Sequence, residues 1–190
     1  MSITTYYTAT SLDGFIADEK HSLEWLFRQD HDGDGPLNHD GFFARIGAVV
    51  MGSSTYEWVL RHEGGRWPYQ LPAWVLTTRG LPEADGDLRF AQGDIRPVHG
   101  EMTAAAGGKD LWIVGGGDVA GQFADAGLLD EIVVYVAPVT LGGGAPLLPR
   151  ELDLQLEELA RNRDFACARY SVVGPVEHTD SMSHGGPRSQ

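Results

Sequence analysis

The chain predicts an α/β sandwich with a mostly parallel central sheet, closed by a C-terminal antiparallel hairpin. Three observations carry this. The short apolar runs "AVVMG" (48–52), "AWVLTT" (73–78) and "LWIV" (111–114) read as strands buried on both faces. Helical patterns lie between them, as a parallel sheet requires. Further on, "LDLQLEEL" (152–159) and "DFACARYSVV" (164–173) alternate apolar with polar residues, the pattern of antiparallel strands with one wetted face.

The elements follow in order. Ile3 to Ala9 is β-branched and aromatic and reads as the first strand, and "SLDGF" after it is turn chemistry. "SLEWLF" (22–27) opens a short helix with Ser22 as N-cap, and "RQDHDGDGP" (28–36) is a polar loop. "LNHDGFFARIG" (37–47) reads as a helix closed by Gly47. After the strand 48–52, Ser54 and Glu57 have the spacing of a capping box, which starts a helix over 53–60. Residues 61–72 are loop, 73–78 and 88–91 strands, and 94–107 a helix. The strand 111–114 leads into a helix over 118–127, and "EIVVYVAPV" (131–139) is the longest β-branched run. Residues 1–174 form one domain; the tail 175–190 has no core pattern and is expected to be disordered.

Composition narrows the function. The 190 residues suffice for one full core, and 42% hydrophobic with 22% charged residues is ordinary globular usage. Fourteen basic against twenty-seven acidic residues give a formal charge of −13, with no basic stripe for nucleic acid. No apolar run is long enough to span a membrane, and the N-terminus lacks the basic and apolar regions of a secretory signal. A single cysteine, Cys167, excludes an internal disulfide, so a cytoplasmic setting is expected. The histidines have no metal-ligand spacing, and "DHDGDG" lacks the closing glutamate of a calcium loop, so no metal is expected.

Three strands end in small or polar residues, and ligands of open α/β sheets collect beyond such ends. In "WIVGGGDVAGQF", Val114 leads into Gly115, Gly116 and Gly117 and then a helix, whose first N–H groups attract phosphate. The alternative is a bare tight turn. Asp118 follows at once; its carboxylate would repel phosphate, so its side chain is expected to cap the helix and point away. Gly115, Gly117 and Ala120 match G-x-G-x-x-A, but the motif lies deep in the chain, and residues 135–138 contain no ribose-binding acid. "MGSSTYE" offers Ser53, Ser54 and Thr55 to a phosphate, or to ordinary N-capping. "LTTR" offers Thr77, Thr78 and Arg79; Arg79 either grips a 2′-phosphate, which would select NADP, or is solvated surface.

These three strand ends, in this order and spacing, resemble dihydrofolate reductase. "TATSLDGFIAD" and "APVTLGGGAPLLP" resemble more closely its relative, the reductase domain of riboflavin biosynthesis, and the stand-alone bacterial proteins of that family. The resemblance spans roughly residues 1 to 173. It implies a dihydrofolate reductase-like three-layer α/β/α sandwich, NADPH as hydride donor, a small-molecule substrate and a homodimer. It places Gly115 to Val119 around the cofactor's pyrophosphate and nicotinamide side, Gly52 to Thr55 at the phosphates, and Thr77 to Arg79 at the 2′-phosphate. Ala9 and Ile16 would line the nicotinamide pocket.

On the substrate side, Glu24 would pair with the amidine-like face of a pterin or pyrimidine, Trp25 would stack on the ring, and Tyr135 would face the pocket. Asp13 matches the family motif. The other reading makes Glu24 a solvated helix-start residue beside a core tryptophan, and Asp13 a turn residue bonding to backbone. "LGGGAPLLP" is read as a family loop closing towards the hairpin. The function expected is an NADPH-dependent reductase; the alternatives are a nucleotide-binding protein without turnover and a flavin-binding reductase.

Overall fold

The structure is a computed structural model, and it describes residues 2–177. The expected disorder of the tail therefore falls, from residue 178 on, outside the described residues. Eight strands form one sheet in the order β5-β4-β3-β6-β1-β7-β10-β9. The first six are β5 (Leu88–Ala91), β4 (Ala73–Leu76), β3 (Ile46–Gly52), β6 (Asp110–Gly115), β1 (Thr4–Ser11) and β7 (Glu131–Ala137). These six run parallel. The hairpin of β9 (Leu152–Asn162) and β10 (Phe165–Pro175) extends the sheet, with β10 antiparallel to β7. This is the expected mostly parallel sheet with its closing hairpin.

Helices cover both faces, because the central strands are apolar on both. Ala48 and Val50 of β3 point into a core with Val98 and Met102 of α4 (Ile95–Ala105) and Val119 and Phe123 of α5 (Gly117–Asp125). Val49 and Met51 point into the opposite core, with Tyr56 and Val59 of α3 (Ser53–His62). Phe123 is fully buried, and its truncation to alanine costs about 3–5 kcal/mol at such a site. No helix among the described residues is long and apolar enough to cross a membrane.

Several local expectations are corrected. The helix expected over 37–47 is only α2 (His39–Phe43), capped by Asn38, whose side chain accepts the Gly41 N–H at 2.8 Å. Gly47 belongs to β3 and ends no helix; a Cβ there would overlap the backbone of Ala106 at the end of α4. The capping box at Ser54 does not form: Gly52 is the N-cap of α3, and Glu57 pairs with Arg79 instead. α1 (Glu24–Phe27) starts after Leu23 rather than Ser22, although the Ser22 hydroxyl still accepts the Glu24 N–H at 3.2 Å. β4 stops at Leu76 because Thr77 Oγ1 takes the Arg79 N–H at 3.0 Å and turns the chain. β10 runs on to Pro175, into the stretch expected to be disordered. A small second sheet, β2 (Phe15–Ala17) with β8 (Ala145–Pro146), was not expected, being too short to show a period.

Candidate functional site

Each of the three glycines after β6 answers a different constraint. A Cβ on Gly115 would come within 2.8 Å of Thr55 Oγ1. Gly116, the N-cap of α5, has φ 92°, which side chains disfavour. A Cβ on Gly117 would overlap the carbonyl oxygens of Pro146 and Leu147. The Thr55 side chain and the Pro146–Leu147 backbone thus approach the run closely, and the same glycines border an open cleft.

That cleft, of about 310 Å³, is lined by Gly115 to Asp118 and Val114, with Ser54 and Thr55 from α3 and Ile16 from β2. No side chain caps α5. Its first amides have no partner within the helix and carry partial positive charge. Such a cradle fits the phosphates of a nucleotide. Val119 lies behind it: its Cγ2 is the atom that a Cβ on Gly52 or Gly116 would meet, at 3.2 and 3.3 Å.

A second recess, also about 310 Å³, lies at the end of β4 and is lined by Ser53, Thr77, Thr78, Arg79 and Gln122. Arg79 is held by Glu57 at 2.7 Å, with half its side chain exposed. A third cavity, of about 590 Å³, is lined by Ala9, Tyr7, Tyr135, Phe165 and Phe27 together with His31, Asp32, His39 and Asp40. Thr8 of β1 lines both this cavity and the glycine cleft. The three spaces follow one another in sheet order, from β4 through β3, β6 and β1 to β7.

The largest cavity has a rigid aromatic floor. Tyr7 stacks on Phe42 with centroids 4.5 Å apart and packs beside Tyr135 at 5.8 Å. Their hydroxyls donate to the carbonyls of Leu37 (3.0 Å) and Pro36 (2.8 Å). Burial pushes both phenols up from their ordinary values, so both stay protonated at neutral pH.

Other expected residues sit differently. Asp118 does not cap α5, because Gly116 already occupies the cap; its carboxylate accepts from Arg150 at 3.2 Å and Gln122 at 3.0 Å. Glu24 is exposed and outside the walls of the large cavity. Trp25 is buried with Tyr135, Ala137 and Phe165, its Nε1 donating to the Ser22 carbonyl at 3.2 Å. It therefore packs in a core and offers no face to the cavity; Leu26 and Phe27 line it instead.

Asp13 accepts from the Ser11 hydroxyl (2.6 Å) and from the N–H groups of Leu141 and Gly142 (3.0 and 2.7 Å). The Ser11 hydroxyl, followed by these amides, holds its carboxyl down at about 2. It ties the "SLDG" turn to the second glycine run. Thr8, Trp58, His31, Asp32 and Gly33 are wall residues that sequence reasoning missed; only Thr8 had a signal, inside "TATSLDG".

The model of the RibD C-terminal domain matches residues 3–171. The chain belongs to the RibD C-terminal domain family. The uncharacterized protein YwjB of Bacillus subtilis (strain 168) is 33% identical over 159 residues, covering 81% of this chain and 88% of YwjB. A provisional riboflavin biosynthesis protein of Shewanella sp. PV-4 superposes with a TM-score of 0.76 at 28% identity, over 90% of this chain and 98% of that one. Dihydrofolate reductase from Enterococcus faecalis, complexed with NADP(H), aligns at a TM-score of 0.55 and 15% identity, over 90% and 96% of the two chains. The RibD-like fold here is thus the dihydrofolate reductase-like α/β fold that the resemblance implied.

Proposed function

We propose that this chain is an NADPH-dependent reductase that passes a hydride to a small flat heterocycle, pterin or pyrimidine-like, or to a related carbonyl or imine compound. One observation carries the reading. An uncapped helix start, bared by Gly115 to Gly117, lies between an arginine-bearing recess and an aromatic cavity, all along the carboxyl edge of one sheet. Membership in the family supports an oxidoreductase, and the nicotinamide complex of the Enterococcus enzyme supports the cofactor class.

In this reading the amides of Gly115 to Asp118, backed by Val119, hold the pyrophosphate, assisted by Gly52, Ser53, Ser54 and Thr55. Thr77, Thr78 and Arg79 hold the 2′-phosphate. Val114, Ile16 and Ala9 border the nicotinamide. The bound cofactor supplies the hydride. Tyr7 and Tyr135 give the acceptor a flat, dry floor, and Asp13 is a positioning residue for the loop that closes over Gly117. Self-association fits the hairpin: Leu154, Leu156 and Leu159 pair with Val172, Tyr170 and Ala168, share one face of the sheet and are exposed.

Calorimetry with NADPH and NADH, followed by NADPH oxidation with a panel of pterins, pyrimidines and quinone-like acceptors, tests the proposal. Micromolar NADPH binding with turnover of one acceptor class is expected. Tight binding without any turnover would favour a nucleotide-binding protein, and no binding at millimolar concentration would end the reading. Light scattering in solution tests the dimer.

A further inference from the structure

The loop Asp30–Pro36 is polar and glycine-rich, yet it is pinned. Asn162, 2% exposed at the end of β9, accepts the Asp32 N–H at 2.7 Å and donates to the Asp32 carbonyl at 3.0 Å. Asp164 accepts the Asp30 N–H at 2.7 Å and returns its own N–H to the Asp30 carbonyl at 3.2 Å. A Cβ on Gly35 would meet the Asn162 amide at 2.5 Å, so the loop and the hairpin are in close contact. Fixed in this way, the loop forms one wall of the 590 Å³ cavity through His31, Asp32 and Gly33, and Asp40 of α2 lines the same space.

The residues lining this cavity include no lysine or arginine. Arg28, between the lining residues Phe27 and Gln29, is exposed and does not itself line the cavity; three other arginines around it are matched. Arg163 faces Asp30 at 3.6 Å. Arg45 and Arg169, which line an adjoining recess that shares Tyr7, contact Glu131 at 2.8 and 3.5 Å and also reach Asp110 and Glu158. The formal charge of the chain, −13, adds a repulsive background. A phosphate entering here loses water and finds aromatic faces, the Asp32 and Asp40 carboxylates and the side chains of His31 and His39, with no permanent cation on the lining. A planar cation finds ring faces and an acidic rim.

We infer that this cavity takes flat compounds that are neutral or positively charged and rejects phosphorylated ones, with the pinned Asp30–Asp34 loop as the element that sets this preference. The inference rests on the proposed reading of the cavity as the acceptor site.

The test uses the full chain at pH 8, where imidazoles are in general neutral, and three bicyclic probes of different charge. These are N-methylquinolinium (cation), 1-naphthol (neutral) and 1-naphthyl phosphate (anion), with affinities read by saturation-transfer NMR without cofactor. The cation and the neutral probe are expected to bind at least about ten-fold more tightly than the phosphate at low salt, with the gap closing at high ionic strength. Asp32→Lys, at an exposed position, should narrow the gap, and Asn162→Ala should narrow it by releasing the loop. Equal or tighter binding of 1-naphthyl phosphate, no binding of any probe at millimolar concentration, or a gap indifferent to both salt and Asp32→Lys would overturn the inference. NADPH calorimetry on the same samples judges the cofactor reading separately, because the probe series is read without it.

Discussion

The molecule has two glycine runs, Gly115–Gly117 and Gly142–Gly144, and they end in opposite circumstances. In the second, the protein brings its own anion: the Asp13 carboxylate accepts the N–H groups of Leu141 and Gly142. In the first, no side chain caps the helix that follows, and the cradle opens on a cleft. Glycine content alone did not separate them. What separates the two runs is whether the fold supplies the partner of the bared amides. The runs also touch: the chain leaving the second passes Pro146 and Leu147 over Gly117.

The largest expected effect comes from breaking that contact. Gly117→Val forces a side chain into the Pro146 and Leu147 carbonyls; stability should fall by about 1–3 kcal/mol, and NADPH affinity by about 100-fold, equivalent to about 2.7 kcal/mol. Denaturant melts and calorimetry measure the two. Gly144→Ala, which meets the Ala17 carbonyl at φ 138°, should destabilise comparably while leaving NADPH affinity within a few-fold in the folded fraction. The reverse result would exchange the roles assigned to the two runs.

Next comes Asp13→Ala, which strips the second run of its anion. The melting temperature should drop, and millimolar formate should restore part of it, whereas the wild type should not respond. The pH dependence has a definite sign. The folded carboxyl sits at about 2 against an ordinary 3.8, so its stabilisation is full above the ordinary value and is lost as pH falls from about 4 to about 2. Melts across that window should show the loss in the wild type and not in the variant.

Arg79→Ala should weaken NADPH by about ten-fold, the scale of a charge-assisted hydrogen bond, and leave NADH unchanged; equal losses would remove Arg79 from the 2′-phosphate site. The smallest effect is Glu57→Gln. It removes the carboxylate now facing Arg79 at 2.7 Å and should tighten NADPH by about two- to three-fold at low salt, by direct titration.

Legibility followed the range of the interactions. The strands β3, β4, β6 and β7 were visible because burial on both faces leaves an unbroken apolar run, and the hairpin because one wetted face leaves an alternation. The glycine cleft was legible because strand, glycines and helix are contiguous. Where partners are remote, the signal failed. Nothing local shows that Asn162 pins Asp32, 130 residues earlier in the chain, or that Glu57 turns to Arg79 rather than to a cap. Trp25 beside an exposed Glu24 reads equally as a stacking surface or as core, and only the packing of Phe165 and Tyr135 around it decides for core. β2 and β8, at three and two residues, are below any periodic pattern.

Thr8 stands at the border between the glycine cleft and the aromatic cavity, on a strand hydrogen-bonded on both sides. If the proposed reading holds, the interval between donor and acceptor rings would be inherited from the interstrand spacing of a central sheet, about 4.8 Å per step, and no hinge would have to reproduce it at each turnover. Loops around the rim can diverge to suit a new acceptor while that interval stays unchanged.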